Sequence, residues 1–150
     1  MKYYFLPDAM VVILTAICLV PIYYLVVRIL NASNWSSEIL SILLLLLFAV
    51  LFTRTPYCTV VEKDTIKVKR IIGSMTIADI SSIEPVTKED FKHTVRTFGN
   101  GGFFGYTGYY KSSKLGKFRM LAINTKELAK VVTKTGQVIV INYPAKLFND

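Results

Sequence analysis

The stretch "TFGNGGFFGYTGYY" at residues 97–110 is where the composition of this 150-residue chain first suggests chemistry. It places five glycines among six aromatic side chains, and glycine-rich loops that open a helix can cradle phosphates. A dinucleotide site needs the spacing G-x-G-x-x-G, and a phosphate loop needs G-x-x-x-x-G-K-[ST]. The glycines match neither spacing, and no long helix is indicated after them. We therefore expect no nucleotide to bind here.

Two other interpretations of this stretch stay open, and both can hold together. In the first, the glycines permit bulges and positive φ angles in a long bent hairpin, and the aromatic rings fill the sheet. In the second, part of the aromatic set is exposed at a membrane interface or a partner, supported by flanking cations. The predicted contact residues are Arg96, Phe103, Phe104, Tyr106, Lys111, Lys114 and Arg119, with Tyr109, Tyr110 and Lys117 beside them.

Catalytic residues are not indicated elsewhere. His93 is the only histidine and lies near Glu89 and Asp90, a set that could bind a metal or transfer a proton. Because no second histidine can join it, we expect a solvated loop residue and not a zinc centre. No nucleophile with a nearby base is visible, so the sequence predicts no enzymatic activity, no metal and no cofactor.

Two apolar runs begin the chain. Residues 9–27 and 39–53 carry no charge, and helices of these lengths span about 28 Å and 22 Å, against a hydrocarbon core of about 30 Å. We predict a transmembrane hairpin over residues 1–53, with spans at about 9–30 and 36–53. The alternatives are a buried core helix for the second run and a cleaved signal peptide for the first. A buried core helix is disfavoured because the remaining 97 residues are too few to enclose two helices. A signal peptide is disfavoured because Asp8 lies where a basic segment is expected.

The distribution of Lys and Arg predicts the orientation. The connection at 31–38 contains neither residue, whereas Lys2 and Arg54 flank the other ends of the runs. From residue 54 onward, sixteen Lys or Arg face eight Asp or Glu. By the positive-inside rule both termini are cytoplasmic. A domain tethered beside lipid meets headgroups first, so we expect no nucleic acid partner despite the basic charge.

From residue 54 the pattern changes to period-two alternation, which indicates strands. Seven short strands are predicted, followed by a short helix that starts at Pro144. Lys63 and Asp64 separate the first two as a hairpin turn. The strands are residues 57–62, 65–70, 75–79, 80–86, 116–124, 128–134 and 137–142. This spacing favours a small meander, sandwich or barrel over residues 54–150.

Strands with a closing helix after two spans, together with "SSIEPV" (81–86) and "RTFGNGGFFGYTGYYKSSKLGKFRMLAIN" (96–124), resemble the bacterial pleckstrin-homology-like family. The resemblance covers residues 54–150. It implies a bent, nearly orthogonal pair of antiparallel sheets, or a partly open barrel, of about seven strands that a short C-terminal helix caps, in a protein of the bacterial cytoplasmic membrane.

Family members that hold phosphoinositides often carry K-x(n)-[KR]-x-R across the first hairpin. This chain has Lys63, Lys67, Lys69 and Arg70 there, with Lys69 where the motif expects arginine. Lysine lacks the two-pronged geometry of arginine, so specific headgroup recognition is weakly indicated.

The sequence therefore predicts a non-enzymatic, membrane-anchored scaffold or regulatory protein. Its basic, aromatic-rimmed domain would contact a protein partner, a second copy or anionic lipid. The alternative is an accessory subunit of a membrane transporter or membrane enzyme, with the helices as its main interface.

Overall fold

Two helices precede the β-rich part of the chain. A computed structural model describes residues 1–31, 35–63 and 65–148, with the side chains of 35–37 and 88 excepted. Helix α1 is Ala9–Leu30 and helix α2 is Trp35–Thr53. By length and composition α1 could cross a membrane, whereas the part of α2 with described side chains, Glu38–Thr53, is a shorter apolar helix. The second span therefore stays a prediction, and part of the predicted 31–38 connection lies outside the described residues.

Ten strands form two sheets in the described part of the chain. The four-stranded sheet has the order β1-β2-β3-β4, and the six-stranded sheet has the order β5-β9-β10-β8-β7-β6. All neighbours are antiparallel except β8 and β10. The strands are β1 Lys2–Tyr4, β2 Pro56–Val61, β3 Ile66–Arg70, β4 Ser74–Ile77, β5 Ile80–Pro85, β6 Val95–Gly101, β7 Tyr106–Ser112, β8 Gly116–Ala122, β9 Leu128–Thr133 and β10 Val138–Asn142.

Several predictions about the fold need correction. The seven predicted strands are present, but β1, β6 and β7 were not counted. Strand β1 lies before α1 and pairs with β2. The β-rich part therefore includes residues that lie outside the predicted domain of residues 54–150. The parallel β8–β10 pair corrects the expectation of a wholly antiparallel sheet. The predicted terminal α-helix is instead a 3-10 helix at Ala145–Phe148. Asp64 of the predicted hairpin turn lies outside the described residues.

The core lies between the two sheets. Alternate residues of β3, Ile66 and Val68, are 1% exposed and pack in one cluster with Val131 of β9 and Ile141 of β10. This is the period-two burial expected of a strand with one face on a core. A second cluster covers the other face of the six-stranded sheet, where Phe118 of β8 meets the ring of Phe91 at a centroid distance of 6.0 Å.

Asn142, at the end of β10, holds the loop between β8 and β9. Its Oδ1 accepts a hydrogen bond from the Ile123 backbone N–H at 2.6 Å, and its Nδ2 donates to Asn124 Oδ1 at 2.9 Å and to the Glu127 carbonyl at 3.1 Å. Thr59 of β2 donates to the Asn142 carbonyl at 2.8 Å, which joins the two sheets. The Asn142 residue is 4% exposed, so these bonds form away from water.

Asn142→Ala is expected to destabilise the protein by about 2–4 kcal/mol, because it leaves the Ile123 N–H buried without its acceptor. The melting temperature of the full chain in detergent should fall by roughly 5–12 °C. Thr76→Ala, at an exposed position of β4, is the control and should change the melting temperature little. An equal loss in both variants would contradict the role of Asn142.

Candidate functional site

The glycine-rich stretch forms the β6–β7 hairpin that the first interpretation expected, but Phe103 and Phe104 at its tip pack on the helices and do not fill the sheet. Gly99 and Gly108 lie directly opposite each other, with φ angles of 115° and 141°. A Cβ atom on Gly99 would collide with the Thr107 carbonyl oxygen, and one on Gly108 with that of Phe98. Only glycine permits this close approach of the two backbones. The glycines therefore shape the hairpin and do not line a phosphate loop.

The tip of the hairpin packs against the helices. The ring of Phe103 meets that of Phe48 edge-on at 5.4 Å between centroids, and the ring of Phe104 meets that of Phe52 at 5.1 Å. The Phe104 N–H donates to Thr15 Oγ1 at 3.1 Å. Phe104 has a φ of 56°, a costly conformation for a bulky residue, and these contacts with both helices hold it there. The two rings are half-buried on the chain's own helices.

Asp8 ties the start of α1 to the sheet. Its Oδ1 accepts from the Val11 N–H at 2.9 Å and so caps the helix. Its Oδ2 accepts from both the N–H and the hydroxyl of Thr125 at 3.2 Å. The Tyr106 hydroxyl donates to the same carboxylate at 3.3 and 3.4 Å. We call the contacts of Asp8, Thr15, Phe103, Phe104 and Tyr106 the helix–sheet junction.

The predicted cations do not form one patch with Phe103 and Phe104. Arg96 lies over Gly101, where a Cβ would meet its guanidinium group. Lys114 faces Asp90 at 3.8 Å between Nζ and Oδ1, which offsets its charge. Lys111 lies directly opposite Lys117, and Arg119 lies over the Tyr109 ring with its Cζ 5.8 Å from the centroid. The predicted cations are thus spread over the six-stranded sheet.

An exposed apolar and basic surface does lie on β6, β7 and β8. Phe98 is opposite Tyr109, which is opposite Arg119, and directly opposed residues share a face. Phe98 is 75% exposed and Tyr109 is 53% exposed. A groove of about 570 Å³ opens there, with Thr97, Tyr109, Lys117, Arg119, Gln137 and Ile139 among its lining. We call this the β6–β8 face, and its residues are Val95, Phe98, Tyr109, Lys111, Lys117 and Arg119.

Sequence reasoning missed Val95 and Phe98 as contact residues. The register shift between Arg96 and Phe98 breaks the alternation that would otherwise have placed Phe98 on one face with Tyr109. Pairing Gly99 with Gly108 in the predicted hairpin would have placed Phe98 opposite Tyr109. Tyr110, by contrast, is buried, and its hydroxyl donates to the Asn100 carbonyl at 2.5 Å.

The other candidate groups have ordinary roles. His93 is exposed at a turn, Glu89 pairs with Lys92 at 2.8 Å, and Asp90 accepts hydrogen bonds from Thr87. Among the residues that the structure describes, no group of three or more His, Cys, Asp or Glu could hold a metal. The β2–β3 hairpin carries the residues of the phosphoinositide motif. There Lys67 Nζ donates to both carboxylate oxygens of Glu62 at 2.9 Å. That pair weakens the phosphoinositide motif further.

The two sheets pack around a core, and the glycine hairpin lies at the edge of the larger sheet. This arrangement agrees with the resemblance to the bacterial pleckstrin-homology-like family. The family model described as Bacterial PH domain matches residues 58–147. This chain belongs to that family. No curated protein matches the chain, and no solved structure matches it. The matched range takes in nine of the ten strands wholly or in part, and it leaves the helices and β1 outside the bacterial PH domain.

Gly108→Ala should destabilise the bacterial PH domain by about 3 kcal/mol or more, through backbone strain and forced separation of β6 from β7. Gly116→Ala is the matched control, since it also has a positive φ, 67°, but nothing within 4 Å of an added Cβ. It should cost about 1 kcal/mol. The two melting temperatures measure the difference, and equal values would exclude the close approach as the reason for glycine.

Burial, with the negative charge of Asp8 adding to it, raises the pKa of Tyr106 to about 12. In the unfolded chain the tyrosine pKa is about 10. Between these values the folded state retains a proton that the unfolded state loses, so this contribution to stability is lost as pH rises from about 10 to about 12. Tyr106→Phe should lower the melting temperature at pH 7, by loss of the Asp8 hydrogen bonds, yet flatten its decline above pH 10. Parallel curves for wild type and variant would contradict the assignment.

Proposed function

We propose that this chain is a non-enzymatic scaffold or regulatory protein of the bacterial cytoplasmic membrane. Both helices span the bilayer as a hairpin, both termini are cytoplasmic, and the bacterial PH domain presents the β6–β8 face at the membrane surface. The helix–sheet junction is the observation that carries this proposal, because it fixes the domain relative to the helices at both Asp8 and the hairpin tip.

The connection between anchor and domain supports the same proposal. Helix α2 ends at Thr53 and β2 begins at Pro56, so no flexible linker intervenes. The Ile72 N–H donates to the Thr53 carbonyl at 3.0 Å, which holds the β3–β4 turn against the end of α2. Exposed apolar side chains along α1, such as Val20 and Tyr23 at 68% and 72%, suit contact with lipid. A domain held this way keeps one orientation to the bilayer.

The β6–β8 face suits contact with an anionic lipid surface or an acidic protein. Each Lys or Arg close to an anionic leaflet contributes about 1 kcal/mol, and aromatic rings lie well at headgroup depth. Phe98 and Tyr109 supply the exposed rings, with Lys111, Lys117 and Arg119 as cations. In this proposal Phe103, Phe104 and Tyr106 orient the domain on its helices, and confinement raises its local concentration near a partner.

A second candidate is an accessory subunit of a membrane transporter or enzyme that binds through its helices. The feature that favours it is the uncovered apolar surface of α2, where Leu40, Leu43 and Leu47 are 60%, 57% and 54% exposed. These side chains suit lipid, and they also suit the helices of another subunit.

Photo-crosslinking in native membranes distinguishes the two candidates. A photoreactive residue at Phe98 should crosslink lipid or protein, and Lys111→Glu with Lys117→Glu should reduce that yield about tenfold or more. Lys126→Glu with Lys134→Glu, which removes two exposed cations outside this face, is the matched control. A second variant carries the photoreactive residue at Leu43 of α2. Crosslinks to protein from Leu43, with none from Phe98, would favour the accessory subunit. Release of the chain by carbonate washing, or a reporter after residue 150 outside the cell, would contradict both candidates.

A further inference from the structure

The tip of the β6–β7 hairpin contacts both helices well inside their ends. We call residues 102–105 the hairpin tip. The Phe104 N–H donates to Thr15, which lies six residues beyond the first residue of α1. The Phe103 ring meets that of Phe48, which lies five residues before the last residue of α2. At a rise of 1.5 Å per residue, these contacts lie about 9 Å and about 8 Å along the helices from the ends that adjoin the domain.

The lengths of the helices indicate the depth of these contacts. With 22 and 19 residues, α1 and α2 extend about 33 Å and about 28 Å, which suits a hydrocarbon core of about 30 Å. The parts beyond the contacts, residues 16–30 and 35–47, extend only about 22 Å and about 20 Å. Those parts are too short to cross the core alone. If both helices span the bilayer, the hairpin tip therefore lies beside them in the hydrocarbon.

The backbone of the hairpin tip meets the condition for lying in lipid. Non-helical backbone is tolerated at membrane depth only where its polar groups bond within the protein or face water. Three successive N–H groups of the tip have acceptors in the chain: Gly102 donates to the Gly105 carbonyl at 3.0 Å, Phe103 to Asn100 Oδ1 at 3.0 Å and Phe104 to Thr15 Oγ1 at 3.1 Å. These donors are therefore satisfied without water.

The side chains around the hairpin tip are compatible with the same depth. Residues 97–110 carry no charge and form the longest uncharged stretch that follows α2 in the sequence. A groove of about 350 Å³ lies between α1 and Phe104, and Thr15 and Thr55 are the only polar residues in its lining among those that the structure describes. Charged side chains are costly in hydrocarbon, and an apolar groove offers water few partners. The groove therefore suits an acyl chain better than water.

Exposed apolar residues of the chain mark the level of the helix ends. Leu6, three residues before α1, is 83% exposed, and Ile72 in the β3–β4 turn is 67% exposed. The Ile72 N–H donates to the carbonyl of Thr53, the last residue of α2. Exposed apolar residues of this kind suit contact with a membrane. They place the membrane surface near the helix ends, and the hairpin tip reaches beyond that level.

We propose that the hairpin tip is embedded in the hydrocarbon of the host bilayer, as a re-entrant hairpin beside α1 and α2. The Tyr106 hydroxyl bonds Asp8 at the start of α1, and the tip continues about 9 Å further to Thr15. The inference rests on the proposed function, because it takes both helices to span the bilayer. It adds that the bacterial PH domain itself enters the membrane, which fixes the depth of the domain as well as its orientation.

Depth-dependent fluorescence quenching tests the proposal. Variants of the full chain with one tryptophan are made in a Trp35→Phe background, because Trp35 is the only native tryptophan. They are reconstituted in phosphatidylcholine vesicles with brominated acyl chains. Phe103→Trp should lose emission to an extent comparable with Leu43→Trp, which lies in α2 about 15 Å from Thr53. Bromine near the carbonyl end of the chain should quench Phe103→Trp more than bromine near its middle, and the order should reverse for Leu43→Trp.

Lys63→Trp is the matched aqueous control. Lys63 is exposed between β2 and β3, at the end of β3 opposite to the turn that contacts Thr53. Its tryptophan should be quenched by iodide in the buffer and not by brominated chains. Phe104→Trp is the second probe of the tip should Phe103→Trp fold poorly.

The outcomes separate this inference from the proposed function. Quenching of Leu43→Trp by brominated chains, with none of either tip variant, would overturn the inference and leave the spanning helices in place. Quenching of neither the tip variants nor Leu43→Trp would contradict the proposed function and the inference together. Equal quenching of Lys63→Trp and Phe103→Trp would overturn the depth proposed for the hairpin tip.

Discussion

The carboxylate of Asp8 is the interaction on which the arrangement of this molecule depends. One side chain caps α1, accepts from the Tyr106 hydroxyl and accepts twice from Thr125. A hydrogen bond to a charged acceptor is stronger than one between neutral groups, and here several donors share that acceptor. Asp8 therefore couples the first turn of a helix to two separate segments of the larger sheet, so the helix cannot tilt without breaking these bonds.

The hairpin tip supplies the second point of attachment, and two points are needed to fix an orientation. Phe103 and Phe104 reach Phe48 and Phe52 of α2, while the Phe104 N–H reaches Thr15 of α1. The paired glycines behind the tip allow the two strands to approach closely. Residues that look from composition like a ligand-binding loop thus hold the domain on its two helices, and the exposed rings are the neighbouring Phe98 and Tyr109.

The sequence predicted most of the fold because burial in this domain follows strand periodicity. Ile66 and Val68 alternate with lysines in β3, and β10 is a short apolar run, so both were found within a few residues of their true ends. Strand β1 could not be found this way, since three residues become a strand only through their pairing with β2. Strands β6 and β7 were obscured by glycines, which are depleted in strands and carry no side-chain pattern. At the site the cations were identified by type, but the pairing of Lys114 with Asp90 depends on tertiary contacts that spacing does not reveal.

The pairing of β1 with β2 has a consequence for the order of assembly. These two strands lie on opposite sides of both helices in the chain, yet Tyr4 lies opposite Cys58 in the finished sheet. Closing so long a loop costs configurational entropy, and an antiparallel pair of helices removes most of that cost by returning the chain to its starting point. We therefore expect the smaller sheet to acquire its outer strand once the two helices have come together, so that pairing of the helices favours completion of the sheet.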